Sequence, residues 1–155
     1  MHAPRAHAVG RRGEKIGIHP VRLDFFWKFY YDELYMSTKK ILIIDDEESI
    51  RNMVKEFLAI EDYQCDDAET SEQGLTLISK NRYDLILLDR NLGIIKAENI
   101  ISKIHHIDPN VPIVILTGDT GCSEKFLEQI GAAGIIFKPF LFTDLIDGIS
   151  KHLET

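Results

Sequence analysis

The sequence predicts a doubly wound α/β domain built on a five-stranded parallel sheet, with an N-terminal extension over residues 1–37. Two observations predict this fold class. From residue 39 onwards, short apolar runs alternate with segments of helical periodicity, and parallel strands need such crossover helices, which cross right-handedly. In addition, most of the apolar runs end directly at polar residues, as expected where parallel strands meet at one ligand-binding edge.

The first half of the domain contains two strand–helix units. The run 40–44 is too short for a free-standing helix and ends at polar residues, which predicts a buried strand. Acidic residues begin the next helix, where the helix dipole favours them, and Thr70 or Ser71 caps the second helix. The second strand is less apolar, which places it near a sheet edge. The predicted elements are strand 40–44, helix 48–60, strand 63–67 and helix 71–80.

The second half repeats the pattern three times. Residues 85–88 form another buried strand, and a loop through Lys96 leads to a helix whose isoleucines, including Ile107, form one apolar stripe. Asp108-Pro109-Asn110 ends that helix, and Gly131 closes the following one as its C-cap. The predicted elements are strand 85–88, helix 97–107, strand 111–116, helix 123–130, strand 134–137 and helix 142–153.

Composition narrows the classes of function. A chain of 155 residues with 45% hydrophobic content is one domain with an appendage. The net charge of −7 argues against direct nucleic-acid binding and against attraction to a membrane surface, and suits a crevice that holds a cation. No membrane span or secretory signal is present, and Cys65 and Cys122 lack metal-type spacing. We therefore expect a cytoplasmic protein with two reduced thiols.

Residues 1–37 differ in character from the rest of the chain. The first 20 are rich in Arg, His, Gly and Ala without apolar periodicity, which predicts a mobile segment. Residues 24–35 contain seven aromatic side chains. Two interpretations stay open: a short aromatic helix that docks on the domain or on a partner, or an upstream extension without a function, since Met36 resembles a natural translation start.

The polar residues at the strand ends form a set suited to phosphoryl transfer. The carboxylates of Asp45, Asp46 and Asp89 would repel one another, which favours a hard divalent cation, and oxygen ligands without His or Cys indicate Mg²⁺. The other strand ends supply a positive charge, a hydroxyl donor and an exposed backbone N–H: Lys138, Thr117 and Gly118. Because a carboxylate can itself accept a phosphoryl group, the set predicts phosphoryl transfer onto an aspartate.

With these motifs in order, the sequence resembles the receiver domain of bacterial two-component response regulators over residues 38–155. The resemblance rests on Asp45-Asp46 after the first strand, Asp89 after the third, Thr117-Gly118 after the fourth and Lys138-Pro139-Phe140 after the fifth. It implies a flavodoxin-like fold with strand order 2-1-3-4-5. Because no output domain follows Leu153, it also implies a stand-alone receiver that signals through a downstream output protein.

The resemblance implies a role for each acidic position. Asp89 would accept the phosphoryl group from a sensor histidine kinase or a phosphotransfer protein. Asp46 would bind Mg²⁺ directly, Asp45 would bind it through water, and the backbone carbonyl of Asn91 would complete the protein ligands. Such a protein catalyses only phosphoryl transfer to its own aspartate and the later hydrolysis, so it is not an enzyme with other substrates.

The resemblance also implies the contacts of the phosphoryl group. Lys138 would pair with the group, Thr117 would reorient to hydrogen-bond it, and Gly118 would offer its backbone N–H. The family further implies a cis peptide bond before Pro139, which suits a tight turn.

Three positions depart from the family pattern. Gly93 replaces the usual proline after the acceptor and Lys96-Ala97 replaces an Asp-Gly pair, so we expect a looser loop. Ile135 replaces the aromatic switch residue, which leaves its coupling to Thr117 open.

Asn91 and Asp119 occupy the positions that tune hydrolysis, and as small or acidic residues they predict a phosphoryl group that is lost within seconds to minutes.

Two alternative functions remain at this level. A receiver that has lost phosphorylation could act as a binding module, and adding acetyl phosphate with Mg²⁺ separates that alternative from the main one. A haloacid-dehalogenase-type phosphatase also uses an aspartyl phosphate, but its nucleophile motif is Asp-x-Asp, where this chain has Asp89-Arg90-Asn91. Its second acidic pair would also follow the lysine, whereas the acidic pair of this chain comes first.

Overall fold

Seven strands and five helices build the part of the chain that the computed structural model describes, residues 38–153, and five of these strands form the main sheet. The strands of the main sheet are β1 (Lys40–Ile44), β2 (Gln64–Ala68), β3 (Leu85–Asp89), β4 (Ile113–Thr117) and β5 (Gly134–Phe137). The helices are α1 (Glu48–Ile60), α2 (Ser71–Lys80), α3 (Ala97–Ile107), α4 (Glu124–Ile130) and α5 (Phe142–Leu153). The predictions for the N-terminal extension fall on residues outside this described part.

The strands form one parallel sheet in the order β2-β1-β3-β4-β5, which confirms the predicted topology. The sheet is buried on both faces, because α1 and α5 pack against one face and α2, α3 and α4 against the other. Every residue of β3 is buried, as its apolar run predicted. None of the helices within residues 38–153 has the length and apolar character needed to cross a membrane.

Local side-chain contacts fix where the helices begin and end. The Thr70 hydroxyl oxygen accepts a hydrogen bond from the backbone N–H of Gln73 at 3.2 Å, so Thr70 rather than Ser71 caps α2. Gly131 ends α4 with a φ of +76°, a conformation that favours glycine. The isoleucine stripe of α3 is shorter than predicted, because Ile107 in the last turn is 43% exposed.

The connection between β3 and α3 differs from the looser loop that we expected. Residues Asn91–Leu92 and Ile95–Lys96 form two short antiparallel strands that pair with each other. Gly93 is the first of the two residues between them and has a φ of +57°. A glycine with positive φ at that position is typical of tight two-residue hairpins, so the residue that replaces proline supports an ordered turn.

Candidate functional site

The register of the sheet brings the predicted site residues to one edge. The last residue of β1 pairs with the residue before Asp89, so Asp45 and Asp89 leave the sheet side by side. Asp89 in turn pairs with the residue before Thr117, and Thr117 pairs with the residue before Lys138. Residues far apart in the sequence therefore share the carboxyl edge of four neighbouring strands, β1, β3, β4 and β5.

Three carboxylates form an acidic cluster at this edge. Asp45, Asp46 and Asp89 each offer an oxygen, and these oxygens lie within 4.8 Å of one another. Asp45 is fully buried and Asp89 nearly so, whereas Asp46 is exposed. Hard divalent cations prefer such all-oxygen donor sets, so the cluster fits a cation of this class.

Lys138 forms ion pairs with two carboxylates of the cluster, those of Asp45 and Asp89. Its Nζ lies 2.8 Å from an oxygen of Asp45 and 3.3 Å from an oxygen of Asp89. A third carboxylate, that of Glu47, lies 3.4 Å from the same nitrogen. The backbone N–H of Lys138 donates to the Thr117 carbonyl at 2.7 Å, and the Lys138–Pro139 bond is cis, as the resemblance implied. The single ammonium thus balances part of the negative charge of this edge.

Burial and charge shift the ionisation of the two central groups. The pKa of Asp89 is raised, first because burial disfavours the charged carboxylate and second because Asp45 is close, although Lys138 opposes both effects. Burial alone would lower the pKa of Lys138, but its hydrogen bonds and charge pairing with Asp45 and Asp89 raise it above its usual value. Lys138 therefore stays protonated, and the carboxylates carry excess negative charge.

Replacing Asp89 with asparagine is expected to stabilise the fold at neutral pH in the absence of divalent metal. A carboxyl group with a raised folded pKa weakens the fold as pH rises, because the unfolded state then binds fewer protons than the folded state. The gain from Asp89→Asn should be present at about pH 7 and shrink towards about pH 4, the range of an unperturbed aspartate. Urea unfolding in EDTA measures it, with the exposed Asp147→Asn as control. An equal gain at both pH values would contradict this cause.

Thr117 lies at the end of β4 with its side chain buried. Its hydroxyl oxygen accepts a hydrogen bond from the Asp119 backbone N–H at 3.0 Å. A Cβ added at Gly118 would meet no atom within 4 Å, so packing does not require glycine there. The missing side chain leaves the backbone beside Thr117 open.

Asn91 and Asp119, the positions predicted to tune hydrolysis, lie on different loops. Asn91 is exposed and pairs with Lys96 in the short hairpin. The Asp119 carboxylate pairs with Arg90 at 2.5 Å and accepts a hydrogen bond from the Gly121 N–H at 2.8 Å. These two contacts lower the pKa of Asp119, and the Gly121 hydrogen bond is the largest single cause.

Two further positions near the strand ends are the switch position, Ile135, and an arginine of α1, Arg51. Ile135 is partly buried and packs against the core on the α2, α3 and α4 face. Arg51 in α1 donates to the Asp45 carbonyl at 2.8 Å and pairs with Asp67 at 3.0 Å, which fixes the loop that carries the acidic pair. Sequence reasoning missed Arg51, Arg90 and Glu47. Of these three residues, only Arg90 could have been found from the sequence. Its charge is opposite to that of Asp119, which follows the end of the neighbouring strand.

A comparison with protein families decides which family the chain belongs to. The family model described as the response regulator receiver domain matches residues 41–150, most of the chain. The chain belongs to the receiver domain family. This membership confirms the resemblance drawn from the strand-end motifs, and with it phosphoacceptor signalling in two-component systems as the class of function.

Curated relatives include short and long receiver proteins. Sporulation initiation phosphotransferase F of Bacillus subtilis is 32% identical over 120 residues, which cover 76% of this chain and 96% of that protein. Chemotaxis protein CheY of Halobacterium salinarum is 31% identical, covering 74% and 97%. The transcriptional regulatory protein PcoR of Escherichia coli is 33% identical, but the chain covers only 52% of its length. This chain thus matches nearly all of the first two proteins and about half of the third.

Solved receiver structures have the same fold. Chemotaxis protein CheY4 of Vibrio cholerae superposes with a TM-score of 0.71 at 28% identity, covering 76% of this chain and all of that one. Response regulator TrrA of Thermotoga maritima, solved in complex with Mg²⁺ and BeF, superposes with a TM-score of 0.67 at 31% identity, covering 75% of this chain and all of TrrA. The part of the chain that contains the acidic cluster therefore has the receiver fold.

Proposed function

We propose that this receiver domain, residues 38–155, accepts a phosphoryl group on Asp89 and signals through contacts with other proteins. The observation that carries the proposal is the position of Lys138, whose Nζ lies 2.8 Å from Asp45 and 3.3 Å from Asp89 where three carboxylates meet. A fixed positive charge beside a carboxylate nucleophile is what transfer of an anionic phosphoryl group requires. The name of the Bacillus relative, a phosphotransferase, supports the same chemistry.

In the proposed reaction, a carboxylate oxygen of Asp89 attacks the phosphorus of a phosphohistidine on a sensor histidine kinase or a phosphotransfer protein. A P–O bond forms while the P–N bond breaks, and the electron pair of that bond stays with the imidazole of the partner. Lys138 balances negative charge on the transferring group. Water later attacks the phosphorus and releases phosphate, which returns the Asp89 carboxylate. The protein thus acts only on its own aspartate and not as an enzyme for other substrates.

We propose Mg²⁺ as the cofactor. Asp46, Asp89 and the backbone carbonyl of Asn91 would hold it directly, and Asp45 would hold it through water. When bound, Mg²⁺ supplies positive charge to the phosphoryl oxygens. The all-oxygen donor set supports this choice, and so does the exposure of Asp46, because Mg²⁺ usually keeps several of its waters. TrrA, a related receiver, was solved with Mg²⁺ and BeF.

The new charge, roughly −1.5 to −2 by comparison with other phosphorylated residues, is the proposed signal. It would draw the Thr117 hydroxyl and the Gly118 N–H towards the phosphoryl oxygens and change the surface that an output protein contacts. Ile135 cannot contribute an inward-turning aromatic ring to this change. We propose that this occurs in the cytoplasm, without direct contact with nucleic acid or membrane.

Incubation with acetyl phosphate and Mg²⁺ tests the proposal. We expect the intact mass of the wild-type chain to rise by one phosphoryl group, and we expect no increase for Asp89→Asn. The increase should also disappear within seconds to minutes once acetyl phosphate is removed, because Asn91 and Asp119 leave the group open to water. EDTA should prevent the increase.

Three other outcomes would overturn parts of the proposal. A folded wild-type protein that never gains mass would favour a binding module that works without phosphorylation. Equal phosphorylation of wild type and Asp89→Asn would move the acceptor to another residue. A phosphoryl group that persists for many hours with Mg²⁺ present would contradict the roles given to Asn91 and Asp119.

A further inference from the structure

Arg90, the residue directly after Asp89, makes contacts that the proposed phosphoryl chemistry does not use. Its Nη1 donates to the Asp119 carboxylate at 2.5 Å and to Cys122 Sγ at 2.8 Å. Its guanidinium lies 4.9 Å from the centroid of the Phe126 ring, within range of a cation–π interaction. One side chain therefore contacts three residues of the segment that runs from the end of β4 into α4.

The backbone of Arg90 is fixed to the sheet. Its N–H donates to the carbonyl of Leu116 in β4 at 2.9 Å, which continues the ladder between β3 and β4 past Asp89. The Arg90 side chain is 24% exposed, whereas that of Asp119 is 56% exposed. The arginine is thus the anchored partner, and Asp119 on the loop is the partner that can move away.

The contacts of Arg90 continue to Thr117. The Asp119 side chain bonds Arg90 through one oxygen and the Gly121 N–H through the other, while the Asp119 backbone N–H donates to the Thr117 hydroxyl oxygen at 3.0 Å. Any movement of Thr117 towards a phosphoryl group on Asp89 must displace residue 119 or break that last bond. The ion pair resists the first of these.

We propose that Arg90 is a positioning residue whose guanidinium ties the segment 119–126 to the strand end beside Asp89 and so restrains Thr117. The inference rests on the proposed function of Asp89 for its role in signalling, but the restraint itself does not. The restraint holds the loop in the unphosphorylated state, and it does so without involving Ile135. An isolated exposed ion pair contributes little, whereas a cation shared among several partners restrains more.

Hydrogen exchange tests the restraint without phosphorylation. The double variant Arg90→Met with Asp119→Asn removes the ion pair and keeps the net charge, and asparagine can still accept from the Gly121 N–H. The control, Lys125→Met with Glu128→Gln, removes one charge of each sign from exposed positions of α4. We expect backbone amides of residues 118–127 to exchange several-fold faster in the first variant and at the wild-type rate in the control. Wild-type exchange in both variants would overturn the inference.

Binding of beryllofluoride, a mimic of the aspartyl phosphate, with Mg²⁺ tests the consequence for Thr117. We expect the Arg90→Met, Asp119→Asn variant to bind the mimic several-fold more tightly than the wild type, because no restraint opposes the movement of Thr117. Unchanged or weaker binding would overturn the role in signalling. If neither wild type nor variant binds the mimic, the proposed function of Asp89 fails as well, while the exchange measurement still decides whether Arg90 holds the loop.

Discussion

Replacing Lys138 with methionine is expected to abolish detectable phosphorylation and to destabilise the fold in the absence of metal. The Lys138 side chain is only 15% exposed and pairs with Asp45, which is fully buried. Methionine fills a similar volume but leaves Asp45 and Asp89 facing each other without a counter-charge. Removing one partner of a buried ion pair costs about 3–5 kcal/mol, and losing a fixed charge at a reacting group reduces its rate by about 10²-fold or more.

Two measurements separate these effects. Urea unfolding in EDTA gives the loss of stability, and intact mass after acetyl phosphate gives the loss of phosphorylation. Because Mg²⁺ would bind the folded carboxylates, its addition should recover part of the stability of Lys138→Met without restoring the rate. Lys125→Met, which removes an exposed lysine of α4, is the control and should change neither quantity. Normal phosphorylation of Lys138→Met would remove Lys138 from the reaction.

The framework of this site could be predicted because it depends on neighbours in the sequence. The buried strands β1, β3 and β4 end with their apolar runs or one residue later, and the polar residue at that point lies at the carboxyl edge. Asp45, Asp89 and Thr117 were placed in this way, and the register of the sheet brings them together as the parallel arrangement requires. The helix caps Thr70 and Gly131 are also local features, and the structure confirms both.

Contacts between distant side chains could not be predicted in the same way. Lys138 was predicted to meet a phosphoryl group, but its pairing with Glu47 joins residues 91 positions apart and depends on side-chain directions that no spacing encodes. The same is true of Arg90 and Asp119, which are 29 positions apart. The sequence showed two opposite charges, and only the structure shows that they meet.

The loop after Asp89 was predicted wrongly for an identifiable reason. We inferred a looser loop because a glycine stands where related receivers have proline, and glycine increases the freedom of the unfolded chain. In this chain, the glycine instead supplies the positive φ of a hairpin turn whose two short strands pair. The expectation compared residue types and overlooked that the neighbouring residues could form a ladder.

Replacing Asp46 with alanine is expected to abolish Mg²⁺-dependent phosphorylation while leaving the fold intact. Asp46 is exposed, so its removal leaves no buried charge without a partner, and it reduces repulsion with Asp45 and Asp89. In EDTA, the stability of Asp46→Ala should therefore equal or exceed that of the wild type. This separates Asp46 from Lys138, whose loss weakens both the fold and the reaction.

The Mg²⁺ dependence of stability tests whether Asp46 is a ligand, independently of phosphorylation. Wild type should unfold at a higher temperature as Mg²⁺ is added, because the ion binds the folded state alone, and Asp46→Ala should lose this response. Glu48→Ala removes another exposed carboxylate two residues away, at the start of α1, and should keep both the response and the phosphorylation. An Asp46→Ala protein that still gains stability from Mg²⁺ and still gains mass from acetyl phosphate would exclude Asp46 from the site. The cation would then have to be held by Asp45 and Asp89, the two buried carboxylates that Lys138 already bridges.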